Sequence, residues 1–256
     1  MLKTDINCDM GESSSLWDYS LERDLSILPY ISSVNLACGY HAGDPGTMHA
    51  MVEAALKAGV AIGAHPSFPD RENFGRTNMQ LSPEQIYDIV LCQLGALNAF
   101  LQVNGAILHH VKPHGALYNM AAKDPIMAKA IADAVYDFDG GLILYGLSGS
   151  ELIETGRHDF LATCSEVFAD RTYQDDGSLT PRSHPEAMLH SEEASVTQVL
   201  QMVKQQTVQT LSGNTIPVKA ETICIHSDGP DAVSFAKAIH NALSNAGIAV
   251  TSPAKI

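Results

Sequence analysis

A chain of 256 residues suits one large α/β domain, and an apolar fraction of 45% supplies a sizeable core. Lysine and arginine number 15 against 29 acids, giving a formal charge of −14. That balance argues against a nucleic-acid partner, because phosphate binding wants cations.

The start MLKTDINCDMGE has no apolar segment after Lys3, so no signal peptide is expected. No stretch reaches the roughly 18 consecutive apolar residues of a membrane span. The first strand signal is Thr4–Cys8, followed by a short helical piece near Leu21–Leu28. The second strand, Val34–Cys38, breaks into the turn NLACGYHAGDP and then a helix. Met48, Met51, Val52, Ala55 and Leu56 give that helix one buried face, Pro45 suits its start and Gly59 its stop. A third strand, Val60–Ala64, precedes the polar stretch Ser67–Met79. The helix Ser82–Val103 carries its own start signal, with Ser82 as cap, Pro83 first and Gln85 completing a capping box.

The fourth strand is expected over Ala106–Val111 and the next helix from Asp124 to Gly140. Strand Leu142–Tyr145, a short helix Ser150–Thr155 and strand Ala162–Phe168 follow. A second long polar stretch, Ala169–His190, leads to a helix over Glu192–Leu211. The seventh strand is Thr222–His226, and a last helix runs from Pro230 to Gly247. Most strands read as short apolar runs without clean alternation, as strands buried on both faces do. Strands alternating with helices make a parallel sheet with right-handed crossovers, closed as a barrel or open. Neither GxGxxG nor GxxxxGK[ST] occurs in the expected context, so no dinucleotide or P-loop site is expected. Without linker or repeat, residues 1–256 read as a single domain. The five cysteines show no CxxC pair, which suits reduced thiols in the cytoplasm, and four of them lie in predicted strands as small hydrophobes.

Polar side chains gather just past every strand, the pattern of an α/β barrel enzyme. They are Asn7, Asp9 and Glu12; His41 and Asp44; His65, Asp70, Arg71 and Arg76; Lys112, His114, Tyr118 and Asn119; Ser148 and Ser150; Glu166, Asp170, Arg171 and Tyr173; His226 and Asp228. Some have plain structural explanations: Asp44 before Pro45 can cap a helix, and Asp9 can form a turn. Lys112, directly after an apolar strand, is odder, because buried lysine needs a partner. Asp9, His41 and His65 come from three successive units and could form a metal site of two histidines and a carboxylate. Without metal, Asp9 can serve as general base while the histidines and Lys112 stabilise an oxyanion.

DINCDMGE, NLACGYHAGDP, AHPSFPD with FGR, VKPHGALYN, EVFADRTYQDDGSLTPRS and CIHSDGPDA together resemble the motifs of the LamB/YcsF family, in order, from Asp5 to Ala232. The resemblance implies a seven-stranded parallel β/α barrel related to glycoside hydrolase and polysaccharide deacetylase barrels. It also implies the A subunit of a bacterial ATP-dependent 5-oxoprolinase, opening the lactam of 5-oxo-L-proline to L-glutamate with two further subunits, B and C in type. ATP is then a co-substrate handled with those partners, and a divalent metal is possible. The motif positions carried over are Asn7, Asp9, Glu12, His41, Asp44, His65, Arg76, Lys112, His114, Tyr118, Asp170, Arg171, Tyr173 and His226. Asp9, His41, His65, Lys112 and His114 are assigned to catalysis and the others to substrate binding, with Arg76 or Arg171 holding the substrate carboxylate. The departures are small: Cys8 where members often have Ala, and Ser227-Asp228-Gly229 where Gly-Asp-Thr is usual. Two other readings stay open: a metal-dependent hydrolase or deacetylase of a carbohydrate-like substrate, and a non-catalytic lactam-binding subunit.

Overall fold

The structure is a computed structural model that describes residues 2–227 and 231–255. Asp228 of the seventh motif and Pro230, the expected start of the last helix, lie outside the described residues. Seven parallel strands close into a barrel: β1 (Lys3–Met10), β2 (Ser33–Ala37), β3 (Ala61–His65), β4 (His110–Val111), β5 (Ile143–Leu147), β6 (Ala162–Phe168) and β9 (Thr222–His226). Closure is made by β9, which pairs with β6 on one side and β1 on the other. Helices α1 (Leu21–Ile27), α2 (Pro45–Ala58), α3 (Pro83–Val103), α4 (Gly115–Ala121), α5 (Pro125–Asp139), α6 (Glu151–His158), α7 (Glu192–Gln205) and α8 (Ala232–Asn245) connect the strands. A two-residue strand β10 (Ala249–Val250) extends the sheet beside the start of β1.

The helices form where periodicity and caps place them. Ser82 and Gln85 make the reciprocal capping box of α3, and Asp124 caps α5 through the amides of Ile126 and Met127. By length and composition α3 could cross a membrane. Here Ile86, Val90, Leu94, Leu97 and Leu101 bury its inner face in the core, packed beside α5. The expected helix over Glu192–Leu211 is too long. Gln206 takes a left-handed φ of 55° and stops α7, and β7 (Thr207–Gln209) then pairs antiparallel with β8 (Thr215–Pro217). The fourth strand shrinks to two residues.

The strands alternate more strictly than their composition suggests. In β1, Ile6, Cys8 and Met10 join the apolar layer under the helices, while Asn7 and Asp9 bond to side chains of other strands across the barrel. At the lower end Asp5 accepts from Ser33, Tyr145 and Thr222, three further strands. One level up, His110 stacks on Tyr145 (centroids 4.2 Å apart) and bonds to Asn35 at 2.7 Å. The barrel is therefore filled by a hydrogen-bonded polar column, which burial makes costly unless every group is paired. Gly63 makes room for that column, since a Cβ there would overlap the imidazole of His110.

Gly63→Ala should therefore lower stability by about 1–3 kcal/mol through overpacking. Gly95→Ala, in a helix with open space around it, should raise stability by about 0.5–1 kcal/mol. Denaturant unfolding of the two variants checks the pair, and similar midpoints would refute the packing account.

Candidate active site

The upper ends of the strands and the loops beyond them enclose a cavity of about 880 Å³. Asp9, His65, Lys112 and His226 line its floor, and Glu12, Arg76, His114, Tyr118, Arg171 and Arg182 line its walls. Strand register sets the floor, because Asp9 pairs with His226 across β1 and β9, and His65 ends β3 beside Ala37.

Lys112 follows β4 and turns its ammonium into the barrel, where it is fully buried. It lies 2.9 Å from Asp9 Oδ1 and 2.9 Å from Glu166 Oε1, and donates to Cys224 Sγ at 3.1 Å. Burial alone would lower its pKa, but the facing carboxylates of Asp9 and Glu166 hold it well above the ordinary lysine value. Burial would likewise raise the Asp9 carboxyl, yet His65 and Lys112 hold it well below the usual carboxylate range. Both shifts share the Asp9–Lys112 ion pair. Asn35 Nδ2 also donates to Asp9 Oδ1 at 2.8 Å, leaving Oδ2 toward His65 Nε2 at 3.4 Å. Tyr118 donates to Glu166 Oε2 at 2.6 Å, and burial next to that carboxyl pushes its phenol up.

The second feature is a knot of three imidazoles and a carboxyl group. His41 and His114 stack with centroids 3.8 Å apart, and His65 stands edge-on to both. Glu12 Oε1 lies 3.1 Å from His41 Nε2 and 3.5 Å from His114 Nδ1. Donor atoms of these four residues fall within 4.8 Å of one another, a set able to hold a divalent ion. Burial, then the neighbouring rings, push His41 and His114 well below the ordinary histidine value, so both are neutral near pH 7. His41 Nδ1, though buried, has no hydrogen-bond partner among the described residues.

Loop backbone fixes this knot. Phe74 sits at φ 56°, a conformation strained for a side chain of its size, and its carbonyl accepts from His114 Nε2 at 2.8 Å. Gly75 (φ 64°) follows, and a Cβ there would overlap Ser67 Oγ and crowd His41 and His114. Trp17 packs edge-on to Phe74 at 4.9 Å and closes the outer side.

Not every residue expected at the site reaches the cavity. Asn7 is enclosed in the barrel, bonded to Asn35, Glu166, Thr222 and Lys112. Asp44 caps α2 through the Thr47 amide and also bonds Ser13 and Thr47 Oγ1. The Tyr173 hydroxyl accepts from the Phe168 amide, and its ring is core. Asp170 stands behind His226 at 2.7 Å, and burial opposed by His226 holds its carboxyl below the usual range. Arg171 lines the cavity, but its guanidinium donates to the carbonyls of Ala187 and Thr180 and orders the 169–190 loop. One participant is underweighted by the sequence pattern and another escapes it. Glu166 stands among the strand-end polar residues but not among the motif positions assigned to the site, and inside β6 it is the only ionisable carboxyl group. Arg182, 3.3 Å from His226 Nε2, sits in a polar loop where no periodicity marks it.

A family model described as LamB/YcsF family matches residues 4–256. A protein of Brevibacillus brevis (strain 47), named as the A subunit of 5-oxoprolinase, is 55% identical over 250 residues, covering 98% of each chain. One of the same name from Bacillus subtilis (strain 168) is 53% identical over 251 residues, covering 98% of this chain and 97% of its own. The crystal structure of a lactam utilization protein from Thermus thermophilus superposes with a TM-score of 0.91 at 45% identity, over 98% of this chain and 100% of that one. With the motifs, the barrel and these matches in agreement over nearly the whole length, the chain belongs to the LamB/YcsF family.

Proposed function

We propose that this chain is the A subunit of an ATP-dependent 5-oxoprolinase, hydrolysing the lactam of 5-oxo-L-proline to L-glutamate as ATP is cleaved to ADP and phosphate. The names of its close relatives support the reading, and one observation carries the chemistry: an ionised Asp9 on the cavity floor, with one oxygen turned to a histidine.

Hydrolysis adds water across the C–N bond. Asp9 Oδ2 takes a proton from water as its oxygen bonds to the carbonyl carbon, and the C=O pair moves onto oxygen. That pair returns as the C–N bond breaks, and the leaving nitrogen takes the proton that Asp9 Oδ2 removed from water. Lys112 has a different task from the oxyanion contact expected of it. Its ammonium is already engaged by Asp9, Glu166 and Cys224, so it keeps Asp9 ionised and in place. Arg76 and Arg182 line the cavity and bring guanidinium groups of the kind that binds a substrate carboxylate, while the Arg171 guanidinium donates to two carbonyls of its loop. Opening an unstrained lactam is uphill, which is why ATP is coupled to it. With no P-loop in the sequence, the nucleotide is handled with two partner subunits in the cytoplasm. The knot of Glu12 and three histidines favours a second reading, a metal-dependent hydrolase or deacetylase of a carbohydrate-like substrate, which would turn over without ATP or partners.

Glutamate release from 5-oxoproline and ATP should require all three subunits, and Asp9→Asn should lower kcat about 100-fold or more while the complex still assembles. Release by this chain alone without ATP would favour the second reading, and full activity of Asp9→Asn would leave a non-catalytic lactam-binding subunit. A pH profile tests Lys112. In the wild type, the Asp9 carboxyl titrates well below the ordinary value of 3.8, so it imposes no acid limb near neutrality. In Lys112→Met the desolvated carboxyl loses its counter-charge, its pKa rises, and the acid limb of kcat/KM should move to higher pH. An unmoved limb would remove Lys112 from that role.

A further inference from the structure

The geometry points to a metal site that differs from the one the sequence suggests. We propose that Glu12, His41, His65 and His114 bind one divalent first-row transition ion, of the class represented by zinc, at the side of the cavity. The set is three imidazoles and a carboxylate, which suits zinc-class ions and not the all-oxygen cages of calcium or magnesium.

The argument rests on where the ring protons must be. His65 Nδ1 lies 2.7 Å from the carbonyl oxygen of Lys112, and His114 Nε2 lies 2.8 Å from that of Phe74. A carbonyl only accepts, so these two outer nitrogens carry the protons. In neutral rings the inner nitrogens are then bare lone pairs. They face each other, His114 Nδ1 to His65 Nε2, at 3.0 Å. Glu12 Oε1 adds a third electron-rich atom 3.5 Å from His114 Nδ1, and His41 Nε2 hydrogen-bonds to that oxygen at 3.1 Å through a proton that the ion would displace. All four residues are buried, so water does little to screen them. Lone pairs gathered in this way repel unless a cation lies among them. Outer ring nitrogens donating to main-chain carbonyls are also how metal-binding histidines are held in their tautomer and orientation.

Asp9 is displaced from the set expected from sequence. Its Oδ1 is taken by Lys112 and Asn35, and its Oδ2 lies 3.4 Å from His65 Nε2, beside the four-residue group and outside it. Nor does the group Asp9, Cys224 and His226 serve, because the Lys112 ammonium already lies 3.1 Å from Cys224 Sγ. Glu12, His65 and His114 face the cavity, where a bound ion would supply Lewis-acid chemistry. The assignment does not depend on which substrate enters. The rival occupant is a proton: a His65–His114 imidazole–imidazolium pair would also relieve the facing lone pairs and would hold no metal.

The full chain without affinity tag, stripped by chelator and dialysed against zinc, separates the two. Elemental analysis should find one equivalent of zinc per chain, and cobalt in its place should give visible ligand-field bands. Zinc should also raise the Tm of the stripped chain, since an ion that binds only the native state stabilises it. Glu12→Gln and His65→Asn should each weaken zinc binding by roughly 100-fold or more, at or above the roughly 10–100-fold that losing an outer partner of a ligand costs. Cys92→Ser, which removes the exposed thiol, should leave the stoichiometry unchanged. If His65→Asn fails to fold, the nearly isosteric Glu12→Gln carries the test. Less than a tenth of an equivalent of zinc with no Tm rise, or binding unaltered by Glu12→Gln, would overturn the proposal in favour of the proton. Stoichiometric metal in a complex that releases no glutamate would uphold this site while failing the lactam reading.

Discussion

A lysine ammonium sealed inside a barrel is the constraint around which this protein is arranged. Taking one positive charge out of water costs several kcal/mol unless counter-charges and hydrogen bonds replace the solvent. Lys112 finds them in Asp9, Glu166, Asn7 and Cys224, drawn from strands β1, β6 and β9. Three of those partners are then committed in turn: Asn7 to Asn35 and Thr222, Glu166 to Tyr118, Asp9 to Asn35. The inner faces of most strands are specified by one charge and the groups that satisfy it. The result at the cavity is a carboxylate that cannot protonate near neutral pH and cannot swing away.

Against that rigid floor, the histidine knot is held by loops. His41 comes from the turn before α2, which Arg71 ties down by donating to the carbonyls of Gly39, Gly43 and Ser13. His114 is positioned by a carbonyl on a strained residue, Phe74, whose neighbour Gly75 accepts the Ala116 amide at 2.9 Å. Buried Gln93 of α3 braces the same loop through the main chain of Ser67. The floor is fixed by charge and the wall by backbone. The sequence marks them differently, the first by a lysine after a strand and the second by glycines between polar residues.

Local signals suffice for α2, α3 and α5, where apolar spacing and caps agree, and for the existence of all seven barrel strands. They fail where tertiary pairing decides. Nothing between Glu192 and Leu211 announces that Gln206 will reverse the chain for a hairpin. Helix α4 is hidden because it begins at Gly115, a poor helix former held by its approach to Gly75. The strict alternation Asp5-Ile6-Asn7-Cys8-Asp9-Met10 is legible and already indicates a polar inside and an apolar outside, although the strands as a group look uniformly apolar. At the site, Asp9, His65, Lys112 and His114 follow from the strand-end rule. The exchange of Glu12 for Asp9 in the histidine knot does not, since it depends on which carboxyl group the lysine claims, and that pairing spans more than a hundred residues.

The closure of β9 onto β1 has a consequence for how the molecule comes into being. Thr222 donates to Asp5 across 217 positions of sequence, and Cys224, the lysine's sulfur neighbour, lies on the same last strand. A chain emerging from the ribosome can assemble its first six strands and most of their helices before this strand exists. It then carries an open edge and a lysine without its full shell. Ring closure with so long a loop is entropically late. The shell of the buried lysine is therefore completed only when synthesis is nearly over, and a nascent chain truncated before Thr222 lacks Cys224 and His226.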